Sequence, residues 1–369
     1  MNHALAPLPL QGVTAADLCA AVPGLAIEDA RRIVAQVHRD EDPATPSSGI
    51  RRTAREAVLA AGHVPQLEIT SERRSKIDPF VKYALRTGDG HVVETVRIPL
   101  EHGRFSVCVS SQVGCALGCT FCATGRMGLT RNLDTWEIVE QVRIVRRGIR
   151  EDERSATASR AERAGRVHGV VCQGMGEPLA NLDRVLAAIR VMSDPSALAI
   201  DARNITVCTS GLPSGIRRLA IDAPNVRLGL SMGSARREVR RSLMPIDRAH
   251  DMTEVLNAVA EHVAATKLAP MWAVTLLAGV NDTVDDALAL ADLVVAFRER
   301  TGTSPRLSII PYNAIDEGPA GESDPFVRAS NDSEDAFRAA LRARGVHTHK
   351  RYSGGADVAA ACGQLAARG

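Results

Sequence analysis

The sequence predicts an α/β protein: a partial (β/α)6 barrel, with a small N-terminal helical domain and a β-hairpin extension ahead of it. Three observations carry this expectation. After about residue 103, strand-like runs recur at 105–111, 168–173, 204–209, 226–231, 270–277 and 305–310. Helical patterns separate most of them, at 134–147, 180–192, 252–265 and 283–299. The chain, at 369 residues, is long enough to bury the core such an assembly needs. Strands alternating with helices give a parallel sheet with right-handed crossovers. A doubly wound open sheet is the alternative with the same pattern. In a barrel, chemistry gathers at the C-terminal ends of the strands.

The elements follow in chain order. Residues 13–39 read as two short helices, with Ala30, Ile33, Val34 and Val37 at helical spacing. DEDPATPSSG, 40–49, is a linker by composition, and 51–62 resumes a helix. Residues 78–99 read as a hairpin about the turn signal Asp89-Gly90. The charged stretch 150–166 reads as a solvated insertion, and 346–351 as a further strand. The expected domains are 1–65 (helical), 66–102 (hairpin and linker) and 103–369 (barrel and C-terminal segment).

Composition narrows the function classes. The 45 basic residues exceed the 43 acidic ones by only 2, which argues against a polycation but leaves local basic patches open. No apolar run is long enough to span a bilayer, and the first residues lack the basic start and long apolar stretch of a signal peptide. The expectation is a soluble, cytoplasmic protein. Eight cysteines in such a chain point to metal or redox chemistry rather than to a disulfide framework.

Three of those cysteines fall in CALGCTFCATG, as Cys115-x3-Cys119-x2-Cys122, just after the first barrel strand. A structural zinc site wants four ligands, usually as two pairs, and no second pair exists. A CxxC redox motif leaves Cys115 unexplained. A cubane 4Fe–4S cluster with three cysteine ligands keeps one iron open for a bidentate small molecule. This spacing is the pattern of radical S-adenosylmethionine (SAM) enzymes, and Phe121 before the last cysteine is typical of it. GMGEP, Gly174–Pro178, follows the second strand. By itself it is a glycine turn. One β/α unit after the cluster, it resembles the segment that meets the methionine amino group of SAM, with Glu177 as acceptor.

In sequence the chain resembles the RlmN/Cfr family of RNA adenine methyltransferases. The resemblance covers roughly 78–367 and rests on VETVRIP (93–99), CVSSQVGCALGCTFCATG (108–125), RNL (131–133), GMGEPLANL (174–182), TSG (209–211), GVND (279–282), IIPYN (309–313) and AACGQL (360–365). SSQVGCAL with RNL is closer to the RlmN branch, which methylates carbon 2 of adenine; the Cfr branch methylates carbon 8. The resemblance implies that Cys115, Cys119 and Cys122 hold the cluster. Gly176, Glu177, Ser231 and Asn313 would contact SAM, with Cys208 and Gly233 bordering the same site. Cys362 matches the methyl-carrying cysteine, Cys108 the cysteine that resolves the covalent intermediate, and Glu94 a proposed proton acceptor.

The same resemblance implies two SAM molecules per turnover. One methylates Cys362; the other generates a 5′-deoxyadenosyl radical that activates that methyl group for addition to the base. Attack by Cys108 on the Cys362 sulfur then releases product and leaves a disulfide, which must be reduced. The partners implied are ribosomal or transfer RNA and a reducing electron donor such as flavodoxin or ferredoxin; no membrane is involved, and a monomer is expected.

Three positions depart from the family pattern. Cys208 stands where a serine is usual, Gly233 replaces the histidine of SLHA, and Glu94 lies one residue further from Cys108 than expected. Residues 13–62 hold no aromatic side chain to stack a base. Two arginine clusters, Arg236/Arg240 with Arg237/Arg241 and RIVRRGIR (143–150), read equally as solvated helix faces or as RNA contacts. The alternatives are the same chemistry on carbon 8 of adenine, as in the Cfr branch, or on a small molecule or peptide. A non-catalytic iron–sulfur RNA-binding protein is the third class, disfavoured by the presence of both Cys108 and Cys362. Cys19, Cys172 and Cys208 have the plain reading of core residues.

Overall fold

The computed structural model describes residues 7–154, 166–315, 324–350 and 354–366. Strand β1 (Leu8–Pro9) pairs in parallel with β2 (Gly62–His63), closing the N-terminal unit on itself. Between them lie α1 (Ala15–Ala21), α2 (Ile27–His38) and α3 (Arg52–Ala61). Helix α1 starts at a capping box, in which Thr14 and Asp17 satisfy each other's amides. The helical stripe Ala30, Ile33, Val34 and Val37 is buried as its spacing predicts, against Leu10, Leu18 and Val58. Cys19 packs half-buried against this cluster.

The remaining chain builds one ten-stranded sheet in the order β14-β13-β12-β11-β10-β9-β6-β5-β4-β3. Strands β3 (Glu68–Arg74), β4 (Val81–Arg86) and β5 (Val92–Pro99) are antiparallel, and β5 pairs antiparallel with β6 (Arg104–Val109). The expected hairpin is thus the middle of a three-stranded extension that runs directly into the barrel sheet. The sequence reading missed β3 because EITSERR is an edge strand, with no buried face to alternate against. Across the rest of this sheet, starting from β6, each neighbouring pair is parallel: β9 (Arg166–Cys172), β10 (Ile205–Thr209), β11 (Arg227–Ser231), β12 (Met271–Leu276), β13 (Arg306–Pro311) and β14 (Thr348–Lys350).

Helices connect these strands. The β6–β9 crossover carries the small hairpin β7 (Gln112–Cys115) with β8 (Gly128–Asn132), the short α4 (Ala123–Arg126) and the long α5 (Thr135–Arg154). Then come α6 (Leu182–Ser193), α7 (Pro213–Asp222), α8 (Arg237–Leu243) with α9 (Met252–Thr266), α10 (Val284–Thr301) and α11 (Asn331–Ala343). The open parallel series and its crossovers match the expected partial barrel. The main core lies between sheet and helices, with Trp272 and Phe297 edge-to-face at 5.0 Å and Cys172 fully inside it.

Each arginine cluster is a solvated face only in part: Arg236, Arg237 and Arg241 are exposed, while other members turn inward. In RIVRRGIR, Arg143 is buried and reaches Glu140, Asp40 and the Val37 carbonyl, while Arg147 and Arg150 also close on Asp40. They tie α5 to the end of α2. In the second cluster, Arg240 is 1% exposed and lies inside the fold. The expected insertion 150–166 is partly corrected too. Helix α5 runs through Arg154, and Asp152 joins Arg74 and Arg97 on the extension strands; residues 155–165 lie outside the described part.

Candidate active site

At the C-terminal end of β6 the chain turns through Ser110 and Ser111 into β7, which delivers Cys115. The turn is fastened to the end of β9: Gly174 N donates to Val109 O (3.0 Å), Ser111 N to Met175 O (2.8 Å) and Met175 N to Ser110 Oγ (2.9 Å). GMGEP therefore lies flush on the cysteine segment. Only glycine serves at 176: its φ is +97°, and a Cβ there would come within 2.5 Å of the Gln112 Cβ. The loop after Cys115 is held from the far side, where Thr120 N donates to Leu243 O (3.0 Å) at the end of α8.

Cys115, Cys119 and Cys122 line one cavity at the barrel mouth, together with Gly176, Glu177, Cys208, Ser231, Gly233 and Cys362. Burial pushes the Cys115 thiol up to about 11 and the Cys119 thiol up to about 12, reinforced at both by neighbouring cysteines and Glu177. Burial raises Cys122 as well, and the nearby Cys362 adds to the effect. Glu177 is 2% exposed, and desolvation lifts its carboxyl to about 7. Its Oε1 accepts from Leu179 N (3.0 Å) and its Oε2 from Ser210 N (2.9 Å). Four groups that are acids in water thus line one cavity, and burial is the first cause that opposes the ionisation of each. Such a donor set suits cationic partners. Among the described residues no group of His, Cys, Asp or Glu side chains is gathered to ligate a single metal ion. Thiols around one cavity without a common centre suit a cluster with separate corner irons better than a lone zinc.

Cys208 lines the cavity with its Sγ 3.6 Å from Gln173 Oε1, so its wall position joins the core reading to the cofactor one. Gly233 has φ +64°, and a Cβ there would meet Met244 Sδ at 2.6 Å. The Met244 thioether thus fills the space beside Gly233. Beneath them Arg240 donates to the carbonyls of Ser231 (3.0 Å), Met232 (2.5 Å) and Ser210 (2.8 Å), and to Asp247 (3.0 Å). Asn313 stands outside this wall; its amide donates to Cys362 O at 3.4 Å.

Cys362 lines a second cavity as well, which it shares with Cys108, Cys122 and Phe80. Cys108 is on β6 opposite Val96 of β5 and Val171 of β9. Cys362, 254 positions after Cys108 in sequence, is thus brought to a cavity on the first barrel strand. Glu94 lines neither cavity. It is fully buried, with Oε1 3.0 Å from Lys82 Nζ and Oε2 accepting from Ala366 N (2.9 Å). Sequence reasoning missed Gln173, Thr209, Thr275 and Met244 as wall residues. The first three sit at or just after C-terminal strand ends, a place the barrel rule marks in advance; Met244, after α8, carries no such signal.

With this geometry established, comparison with known proteins is informative. Residues 109–294 match the radical SAM superfamily. The chain is 59% identical over 358 residues to a probable RNA methyltransferase of Sorangium cellulosum (strain So ce56), covering 93% of this chain and 88% of that one. It is 38% identical over 285 residues to the dual-specificity RNA methyltransferase RlmN of Pelobacter propionicus, covering 77% and 74%. In structure it is similar to a radical SAM methyltransferase from Sphaerobacter thermophilus, with a TM-score of 0.83 and 34% identity over 98% of this chain and 100% of that one.

Proposed function

Because this chain belongs to the RlmN-type RNA methyltransferases of the radical SAM superfamily, we propose that it methylates carbon 2 of adenine in ribosomal RNA, and of a transfer-RNA adenine, by way of a methyl group carried on Cys362. The observation that carries this reading is the position of Cys362, at the seam between the cavity of Cys115, Cys119 and Cys122 and the cavity of Cys108.

Cys115, Cys119 and Cys122 would hold a 4Fe–4S cluster. Glu177, with the walls at Gly176, Ser231, Gly233 and Cys208, would hold SAM. When bound, this pair supplies a methyl group and a carbon radical, with two SAM molecules per turnover and electrons from a reducing donor such as flavodoxin or ferredoxin. The chain's own residues do the rest. Glu177 accepts from the ammonium of SAM, its orientation fixed by the amides of Leu179 and Ser210. Cys362 acts as nucleophile toward the methyl group and then presents that carbon to the base. After the ring carbon loses its proton, Cys108 would attack the Cys362 sulfur and break its bond to the transferred carbon. That carbon takes up a proton and stays on the base as a methyl group, and a Cys108–Cys362 disulfide is left to be reduced. Asn313 steadies the Cys362 backbone. The protein acts as a monomer in the cytoplasm.

The test compares two variants. Cys362→Ala leaves no methyl carrier, so neither S-methylcysteine nor methylated adenine should form. Cys108→Ala should stall as protein joined covalently to RNA through Cys362, seen as ribonuclease-sensitive mass on the purified enzyme. Normal turnover by either variant would overturn the scheme. A second reading, the same chemistry on a small molecule or peptide, draws support from the inward ties of Arg143, Arg147 and Arg240, which take them away from any RNA surface. RNA affinity that falls steeply with salt favours the first reading, and an adduct of small-molecule mass on Cys108→Ala the second.

A further inference from the structure

The C-terminal segment crosses the barrel mouth and is pinned along its length. Gly355 N donates to Asp78 Oδ2 (2.8 Å), and Asp357 Oδ2 accepts from Lys76 N (2.8 Å). Around Cys362, Ala123 N donates to Gly363 O (2.8 Å) and the Thr124 hydroxyl to Leu365 O (2.6 Å). Beyond these, Ala366 N donates to Glu94 Oε2. Lys82 lies opposite Val96, and Glu94 opposite Ala84, so the two are diagonal neighbours on one face of the β4–β5 pair. Their side chains are 5% and 0% exposed. An ion pair this deeply buried is weak evidence for stability, and its best-attested use is to fix one arrangement of the chain. Here the arrangement it fixes is visible: the second carboxylate oxygen holds the tail.

We propose that Lys82 and Glu94 form a buried latch that seats the C-terminal segment and so sets where Cys362 stands between the two cavities. Glu94 is then a positioning residue that acts through the tail, and Lys82 is its necessary partner. The inference rests on the functional reading only for the meaning of Cys362's place. The family resemblance gives Glu94 a different task, taking a proton from the base. That task needs a carboxylate facing the substrate cavity, whereas Glu94 lines neither cavity, its Oε1 paired with Lys82 and its Oε2 accepting from Ala366 N.

The test reads hydrogen exchange in the C-terminal peptide of the cluster-loaded enzyme, by mass spectrometry. Lys82→Met leaves a lone buried carboxylate and is liable to misfold, so the informative variant is Lys82→Met/Glu94→Met, which replaces the pair by apolar side chains of similar reach. Its C-terminal amides should exchange about tenfold faster or more, the factor lost with one charge-assisted hydrogen bond. The cluster absorbance should stay unchanged, and the fraction of Cys362 recovered as S-methylcysteine should fall. Lys82→Arg, which keeps a cation, should retain wild-type protection. Wild-type exchange in the double variant would overturn the latch and leave the functional reading standing. Absence of methylated adenine with wild-type enzyme would do the reverse.

Discussion

Glu177 joins two β/α units: one carboxylate oxygen takes the Leu179 amide, in its own turn after β9, and the other the Ser210 amide after β10. Glu177→Gln keeps an acceptor but removes the charge. SAM affinity should fall by about 1.5–3 kcal/mol, the range for a hydrogen bond to a charged group, while the cluster remains. Calorimetric titration measures this, and an unchanged affinity would take Glu177 out of the cofactor site. At Gly233 the positive φ and the Met244 sulfur exclude a side chain together. Gly233→Ala should cost roughly 1–2 kcal/mol from the left-handed backbone alone. Met244→Ala in the same chain should return only the steric part. A double-mutant cycle with no coupling energy would show that Met244 does not occupy that space.

At the scale of elements, the turn from β11 into α8 is organised by a single side chain. Arg240 bonds three carbonyls from two strand ends and the carboxylate of Asp247, all in the interior. This explains why one arginine of a cluster that reads as a solvated helix face is internal while the other three stay exposed. A guanidinium can fork to several acceptors at fixed angles, and an ammonium cannot. Arg240→Met leaves buried Asp247 with only the longer contact to Arg241, 3.7 Å from its other oxygen, so unfolding free energy should drop by up to about 3–5 kcal/mol. Arg240→Lys should recover little of it. Denaturant titration checks both, and full recovery by lysine would show that charge alone, not the fork, organises the turn.

At the scale of the molecule, the N-terminal helices meet α5 through a mixed network. Asp40 accepts from Arg143, Arg147 and Arg150, and Glu140 from Arg143 and Arg147. His38 lies buried beside it with neither ring nitrogen hydrogen-bonded. Burial, then Arg143 and Arg146, depress its pKa to about 3. Its unfolded value is near 6.5, so below that pH the unfolded chain takes up a proton that the fold refuses. The stability His38 permits is therefore complete above pH 6.5 and drains as pH falls toward 3. From pH 7 to pH 5 this single group should remove about 2 kcal/mol. His38→Leu should flatten that limb of the pH–stability curve by the same amount. An unchanged slope would place the acid sensitivity elsewhere, the Asp40 network first.

The sequence alone determined the chemistry and the layered fold. Cysteine spacing is local, so the grouping of Cys115, Cys119 and Cys122 shows within eight residues, and the structure places all three on one cavity. Hydrophobic periodicity is local as well, which is why the barrel strands β6 and β9 to β13 and the stripe on α2 were legible, and the short hairpin β7–β8 was not. The GMGEP segment reads locally only as a glycine turn after a strand; it was its order after the cysteine cluster that marked Gly176 and Glu177, and the structure puts both on the cysteine cavity. What only the tertiary structure decided is long-range pairing. The edge strand β3 has no buried face to mark it. Arg143 and Arg240 look like surface charge until Asp40, Asp247 and the strand-end carbonyls close on them from other elements. The seat of Cys362 beside Cys122 and Cys108, and the hold of Lys82 and Glu94 on Ala366, join positions more than two hundred residues apart. No periodicity encodes such contacts, because they depend on how the sheet folds its far edge and its last segment over one mouth.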